Sequence, residues 1–156
     1  MNGQMLGVER QRAAVRLVER GVSQPLRELA RPVESSGLPL VSALMVTRSR
    51  VGQAKLAIEC FRRQSYPNLE LVIVDDSERD ELAEHVSGMA DDRIHIVRLA
   101  DEGAPLGELR NISVEHARGE LVCQWDDDDL YDPDRLLWQV AALRQAGAAA
   151  CFLERW

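Results

Sequence analysis

Residues 121–134 read LVCQWDDDDLYDPD, and their pattern is the strongest indication of the fold in the sequence. A short apolar run precedes four consecutive aspartates, Asp126 to Asp129, and such a run predicts a buried β-strand. Asp132 and Pro133 then have the composition of a helix start, with a capping acid followed by proline at the first helical position. The order of strand, acidic loop and helix places the four carboxylates at the carboxyl end of a strand. In an open α/β sheet, this is the end at which ligands bind.

The same alternation of strand and helix extends along the chain in both directions. Short apolar runs predict buried strands, and longer segments with an apolar face predict helices. The predicted strands are 40–46, 69–74, 94–97 and 121–125, with a further strand starting at 148–153, and the predicted helices are 51–64, 78–89, 106–118 and 133–147. This order predicts an α/β fold with an open, mostly parallel sheet flanked by helices.

The length of 156 residues suits one domain. Residues 1–38 are rich in arginine and predict a helical extension followed by a linker, whereas residues 39–156 form the predicted domain. A basic amphipathic helix can make peripheral membrane contact, but the four glutamates of this segment favour a packed or solvated helix. Because the sequence ends as a strand begins, we expect the domain to be incomplete at its C-terminus.

The composition excludes several classes of protein. A net charge of −7 argues against a nucleic-acid-binding surface, which requires a basic patch. No apolar run reaches the ~18 residues of a transmembrane helix. Three cysteines without metal-ligand spacing are typical of buried thiols in a reducing compartment, so a cytoplasmic location is expected.

Polar side chains follow three of the predicted strands. They are Thr47 to Arg50 after the first strand, Asp75 to Ser77 after the second and Asp126 to Asp129 after the fourth. Because the carboxyl ends of parallel strands share one edge of a sheet, we expect these residues to meet there. No Gly-rich dinucleotide motif and no P-loop accompany them.

Four adjacent carboxylates repel one another unless a cation neutralises their charge. A solvated acidic loop is the alternative for any isolated aspartate run. The spacing is not that of an EF-hand, since glycine and glutamate are missing from the required positions. One or two carboxylates on a Mg²⁺-like ion, with phosphates completing its shell, fit better.

Two further residues have open alternatives. Asp76 can accept hydrogen bonds from a ribose or a base, or it can cap the next helix. Arg110 lies early in its helix, where it can contact a phosphate or form a surface ion pair.

The sequence resembles the family 2 glycosyltransferases of the GT-A fold. The resemblance covers about residues 39–150. It rests on VSALMVT at 41–47, SYPNLELVIVDDS at 65–77, GELRN at 107–111, ARGEL at 117–121 and DDDDLYDPDRL at 126–136, in this order.

The resemblance implies the roles of individual residues. Asp126 and Asp128 match the D-x-D element that holds Mn²⁺ or Mg²⁺, with Asp128 as the metal ligand, and Asp126 or Asp127 is implied for ribose or sugar. Asp76 matches the acid that recognises the base, and Thr47 matches the threonine beside it. Arg110 matches an arginine that closes over the nucleotide. The implied donor is a nucleoside diphosphate sugar, with a UDP-sugar favoured.

Two departures from the family pattern limit these assignments. Arg48 and Ser49 replace the usual aromatic-asparagine pair, and the catalytic base is expected beyond Trp156, so its identity is unknown. The sequence therefore predicts the donor-binding domain of a glycosyltransferase that acts on an unknown acceptor. The alternatives are a non-catalytic fragment or binding module and a metal-dependent nucleotidyltransferase.

Overall fold

The computed structural model describes residues 37–99 and 103–152. The described residues up to Leu136 form one compact unit, which contains the sheet, and those from Leu137 onward belong to a second unit. The helical extension that the sequence predicts over residues 5–30 lies outside the described residues. Both the extension and the domain boundary at residue 38 stay predictions.

Four strands and four helices are present in the described part of the chain. The strands are β1 Val41–Thr47, β2 Leu69–Asp75, β3 Ile94–Arg98 and β4 Leu121–Gln124. The helices are α1 Val51–Arg62, α2 Glu81–Met89, α3 Leu106–Glu115 and α4 Arg135–Ala146. Each agrees with a predicted element, with ends that shift by a few residues.

The strands form one parallel sheet with the order β3-β2-β1-β4. Strand β2 is buried along its whole length and β1 along most of it, because both lie inside the sheet. Strand β4 is an edge strand whose residues alternate in exposure, and Val122 is 54% exposed. The open, parallel α/β sheet with flanking helices is thus confirmed.

The apolar faces of the helices follow the predicted periodicity in α1 and α2. The buried residues are Ala54, Ala57, Ile58 and Phe61 in α1 and Leu82 and Val86 in α2. In α3 the sequence predicts that Leu109, Ile112, Val114 and Ala117 are available for burial. This is wrong for Val114, which is exposed, whereas Ser113 is buried. Ser113 fits the inner face because its hydroxyl donates to the backbone carbonyl of Arg110 at 2.7 Å.

The strand predicted from residue 148 is not observed over residues 148–152. A strand exists only where a neighbouring strand accepts and donates its backbone hydrogen bonds, and no strand pairs with this segment within the described residues. The apolar composition of the segment is therefore not sufficient for a strand.

The three cysteines are free and partly buried. Burial raises the pKa of Cys123 to about 11 and also raises the pKa of Cys151. These two thiols are therefore protonated at neutral pH and have little nucleophilic character.

A polar cluster joins the strands at the amino end of the sheet. Glu70, which is 2% exposed, accepts from the Ser42 hydroxyl at 2.6 Å, from the backbone N–H of Arg118 at 2.7 Å and from Arg118 Nε at 2.7 Å. Burial acts to raise the pKa of Glu70, but these hydrogen bonds lower it below its usual value. The backbone N–H of Gly119 donates to the Ser42 hydroxyl at 2.8 Å, which ties the start of β4 to β1.

Gly119 has no space for a side chain. A Cβ there would lie 2.6 Å from Ser42 Oγ and 2.7 Å from the carbonyl oxygen of Leu40. We expect Gly119→Ala to lower the free energy of unfolding by about 1–3 kcal/mol, because the overlap forces β1 and β4 apart.

Gly88 in α2 offers a matched control, since a Cβ there meets no atom within 4 Å. Gly88→Ala should leave the stability unchanged or raise it by up to about 1 kcal/mol. Urea denaturation measures both variants. A Gly119→Ala protein as stable as the wild type would contradict the packing described here.

Candidate functional site

The order in which successive strands are added to the sheet changes direction at the boundary between β1 and β4. Strands β1, β2 and β3 follow one another toward one edge, whereas β4 returns to the other side of β1. A crevice opens at such a switch point, beyond the carboxyl ends of the strands. A cavity of about 410 Å³ lies there, lined by Val46, Thr47, Arg48, Arg50, Ala104, Leu106, Leu109, Arg110, Asp126, Asp127 and Asp128.

Asp127 is the buried member of the acidic loop, with 6% of its surface exposed. Its Oδ2 accepts from the Thr47 hydroxyl at 2.7 Å, and its Oδ1 accepts from Arg50 Nη1 at 3.2 Å. Thr47 and Asp127 follow the register in which β1 pairs with β4, since Leu44 pairs with Gln124. The end of β1 therefore holds Asp127 in place.

Arg50 places a positive charge inside the acidic loop. Besides Asp127, its Nη1 contacts Asp128 Oδ2 at 2.9 Å. The charge of Asp127 is the main cause that raises the pKa of Arg50, and Asp128 adds to it. The cation that the aspartate run requires is thus supplied, in this structure, by an arginine of the chain itself.

Asp76 is almost fully buried at the end of β2, with 1% of its surface exposed. Its Oδ2 accepts from Arg48 Nε at 2.7 Å, from Arg48 Nη2 and from the backbone N–H of Gly103 at 3.3 Å. Its Oδ1 is buried and has no hydrogen-bond partner within the described residues. Asp76 does not cap α2, because that helix begins at Glu81.

The other two aspartates of the loop differ in position. Both oxygens of Asp126 accept from Gln124 Nε2 at 2.8 Å, and Asp126 lines the cavity. Asp129 lies outside the cavity lining and contacts the Tyr131 hydroxyl at 3.5 Å. Asp129 is therefore an acidic neighbour of the cavity that does not face it.

Arg110 is exposed on α3 and lines the same cavity as Asp126, Asp127 and Asp128. It forms no ion pair within residues 37–99 and 103–152, so the surface ion pair considered from the sequence is not observed there. Its guanidinium is available to an anion in the cavity.

An aromatic anchor fixes the acidic loop to the core. Trp125 is fully buried, donates from Nε1 to the carbonyl of Ala57 at 3.1 Å and packs edge-on against Phe61. On the other side of the loop, the Tyr131 hydroxyl accepts from the backbone N–H of Asp126 at 2.6 Å. Arg135 lies over the Tyr131 ring at 4.4 Å. The four aspartates therefore lie between two aromatic residues, Trp125 and Tyr131, that these contacts hold in place.

The donor set suits a hard divalent cation only in part. The described residues contain no group of three acidic, histidine or cysteine side chains arranged as a metal cage. Mg²⁺ and related ions commonly use one or two carboxylates and complete their shell with water and phosphates. Asp128, which is exposed at the cavity, and Asp126 beside it fit this second kind of site.

The structure thus brings Thr47, Arg110, Asp126, Asp127 and Asp128 to one cavity. Asp76 is not part of the lining and meets the cavity through Arg48. Arg48 and Arg50 lie at this rim, as expected from the sequence, but their ion pairs were not predicted. The feature of the sequence that could have indicated these ion pairs is the position of both arginines directly after β1, beside two strands that end in aspartates.

A comparison with protein families matches residues 42–155 to the model of glycosyl transferase family 2. The chain belongs to this family, as its resemblance predicted.

Curated relatives agree with this assignment. EpsH of Bacillus subtilis (strain 168) is 33% identical over 99 residues, which cover 62% of this chain and 28% of EpsH. WcaA of Escherichia coli (strain K12) is 36% identical over 100 residues, which cover 63% of this chain and 36% of WcaA. Both are named as glycosyltransferases. The matches span about a third of the length of these relatives.

Solved structures share the fold. The crystal structure of S. aureus TarS 1-349 in complex with UDP-GlcNAc has a TM-score of 0.57 at 23% identity, covering 68% of this chain and 31% of that one. The mannosyltransferase PcManGT from Pyrobaculum calidifontis, in complex with GDP-Man and Mn²⁺, has a TM-score of 0.61 at 24% identity, covering 75% and 37%. The predicted GT-A fold is confirmed by this likeness.

The contact between Thr47 and Asp127 predicts a measurable effect on stability. Thr47→Val keeps the shape of the side chain but removes the hydroxyl, which leaves a buried carboxylate oxygen without its donor. We expect the free energy of unfolding to fall by about 1–3 kcal/mol. Thr47→Ser, which retains the hydroxyl, is the control and should lose less. Urea denaturation would refute the contact if both variants lost the same amount.

Proposed function

We propose that the cavity binds a nucleoside diphosphate sugar, and that the full-length protein transfers the sugar to an acceptor. The observation that carries the proposal is the convergence of Thr47, Arg110 and the acidic loop on one cavity at the switch point of a GT-A sheet. Membership of glycosyl transferase family 2 supports it, as do the nucleotide-sugar ligands named for TarS and PcManGT.

Asp76 is the proposed contact to the base. Its Oδ1 is a buried acceptor without a partner in the described residues, and leaving such an atom unpaired costs free energy. An N–H group on the edge of a nucleobase would supply the missing donor. Binding of the base would therefore offset the free-energy cost of the unpaired Oδ1 atom in the free protein.

The diphosphate is proposed to lie between the acidic loop and Arg110. Asp128 and Asp126 would hold Mn²⁺ or Mg²⁺. Asp128 is the proposed principal ligand because its carboxylate is exposed at the cavity, where a cation would displace Arg50 from it. The chemistry that such a cation supplies is neutralisation of charge on the departing diphosphate. Arg110, which lines the same cavity, would add a second positive group.

Asp126 and Asp127 have different proposed roles. Both Asp127 oxygens are engaged, by Thr47 and by Arg50, which favours a positioning role. Within the described residues, the Asp126 carboxylate accepts only from the exposed Gln124 side chain, so it can accept from ribose or sugar hydroxyls once Gln124 moves away.

Transfer also requires a base that activates the acceptor hydroxyl. The family resemblance places this base downstream of the acidic loop, so the residues described here account for donor binding and not for the whole reaction.

No helix among the described residues is long and apolar enough to cross a membrane. The cytoplasmic location and peripheral membrane contact stay predictions.

Titration calorimetry with UDP, with and without Mn²⁺, tests the proposal. We expect binding that strengthens in Mn²⁺, and we expect Asp128→Asn to lose at least about tenfold of the metal-dependent affinity, since a charged metal ligand is replaced by a neutral one. Asp129→Asn changes the net charge equally but alters a residue outside the cavity lining, so it should bind like the wild type.

Two outcomes would count against the proposal. Wild-type protein that binds none of UDP, GDP or their sugars, with or without metal, would rule out a donor site. Equal losses in the Asp128 and Asp129 variants would mean that general charge, and not a metal at Asp128, accounts for the effect.

A further inference from the structure

All hydrogen bonds that the described residues make to the Asp76 carboxylate end on one of its two oxygens. Oδ2 receives Arg48 Nε, Arg48 Nη2 and the backbone N–H of Gly103. Oδ1 receives none and is buried. The two oxygens of one carboxylate are therefore inequivalent toward a ligand.

The Arg48 contact is the one that a ligand cannot easily replace. The Asp76 side chain is fully buried, and a buried carboxylate that loses its cation keeps an uncompensated charge. Arg48 Nη2, which donates to Asp76 Oδ2, also donates to the backbone carbonyl of Ala104 at 2.8 Å and so fixes the guanidinium further. The Gly103 contact, at 3.3 Å and from a neutral donor, is weaker. None of these contacts ends on Oδ1, so a donor that reaches Oδ1 does not have to displace Arg48.

Nucleobases differ in the number of donors on their pairing edge. Uracil has a single N–H between two carbonyl oxygens, whereas guanine has its N1–H beside a 2-amino group. The two guanine donors match both oxygens of a free carboxylate. A carboxylate with one available oxygen satisfies uracil fully but leaves the guanine amino group without an acceptor, which costs affinity when that group is buried.

We propose that Arg48 determines base specificity by reserving Asp76 Oδ2, so that the site accepts uracil and discriminates against guanine. The inference rests on the proposed function and narrows its donor to a uridine diphosphate sugar. Arg48 Nη1, which has no partner among the residues described, would donate to a uracil carbonyl beside the N–H. Arg48 is thus a specificity residue at the position where the family pattern has an aromatic side chain.

Wild-type protein tests the inference through three nucleotides with the same ribose and diphosphate. Titration with UDP, GDP and IDP, at fixed Mg²⁺, compares uracil with guanine and with hypoxanthine, which lacks the 2-amino group. We expect UDP to bind at least about fivefold more tightly than GDP, and IDP at least as tightly as GDP, because the amino group gains no acceptor.

Arg48→Met tests the residue itself. The variant frees Oδ2, so the preference for UDP over GDP should fall by about fivefold or more and GDP should become tighter than IDP. Arg63→Met is the matched control, because Arg63 is exposed at the end of α1 and lies outside the cavity lining. Its ratios should equal those of the wild type. Circular dichroism confirms that each variant is folded.

The outcomes separate this inference from the proposed function. Wild-type protein that binds GDP about fivefold more tightly than IDP would overturn the role of Arg48 even if Arg48→Met failed to fold. Unchanged ratios in a folded Arg48→Met protein would overturn it as well, while nucleotide binding itself would still support the donor site. Absence of binding to all three nucleotides would remove both proposals.

Discussion

The parallel pairing of β1 with both β2 and β4 is the constraint on which the rest of the structure depends. The register with β2 offsets partners by 28 positions, and it continues past the strand ends in the contacts from Arg48 to Asp76 and from Ser49 to Ser77. The register with β4 continues in the same way from Thr47 to Asp127, 80 positions apart. One central strand therefore aligns the functional groups of its two neighbours, and a slip of one residue would separate them.

Charge compensation follows from this alignment. The sheet buries Asp76 and Asp127, and a buried carboxylate is stable only with a cation or several donors beside it. The turn after β1 supplies Arg48 to the first and Arg50 to the second. In the proposed donor site, Arg50 lies where a metal would act, whereas Arg48 keeps Asp76 Oδ2 and leaves Oδ1 to a ligand. The free protein therefore holds these side chains in position, and a ligand would not have to create the site.

Much of the fold could be read from the sequence, because buried parallel strands leave continuous apolar runs and helices leave a periodic face. The residues at the carboxyl edge of the sheet were predictable for the same reason, because their positions follow from where the strands end. The ion pairs of Arg48 and Arg50 were not, because side-chain pairing depends on a register that periodicity does not specify. The strand expected from residue 148 failed because a strand requires a partner. The predicted burial of Val114 was wrong because the burial of an α3 residue depends on which side of the helix faces the sheet.

The sheet has polar groups at both ends, which makes a direct test possible. Glu70 and Arg118 at the amino end satisfy one another, whereas Asp76 at the carboxyl end keeps an acceptor without a partner in the described residues. Amide chemical shifts recorded by NMR during titration with UDP and Mg²⁺ would map the bound surface. The account predicts the largest changes at residues 47–50, 75–77 and 126–128, with little change at Glu70 and Arg118. Changes concentrated at the amino end, with the carboxyl-end residues unaffected, would contradict it.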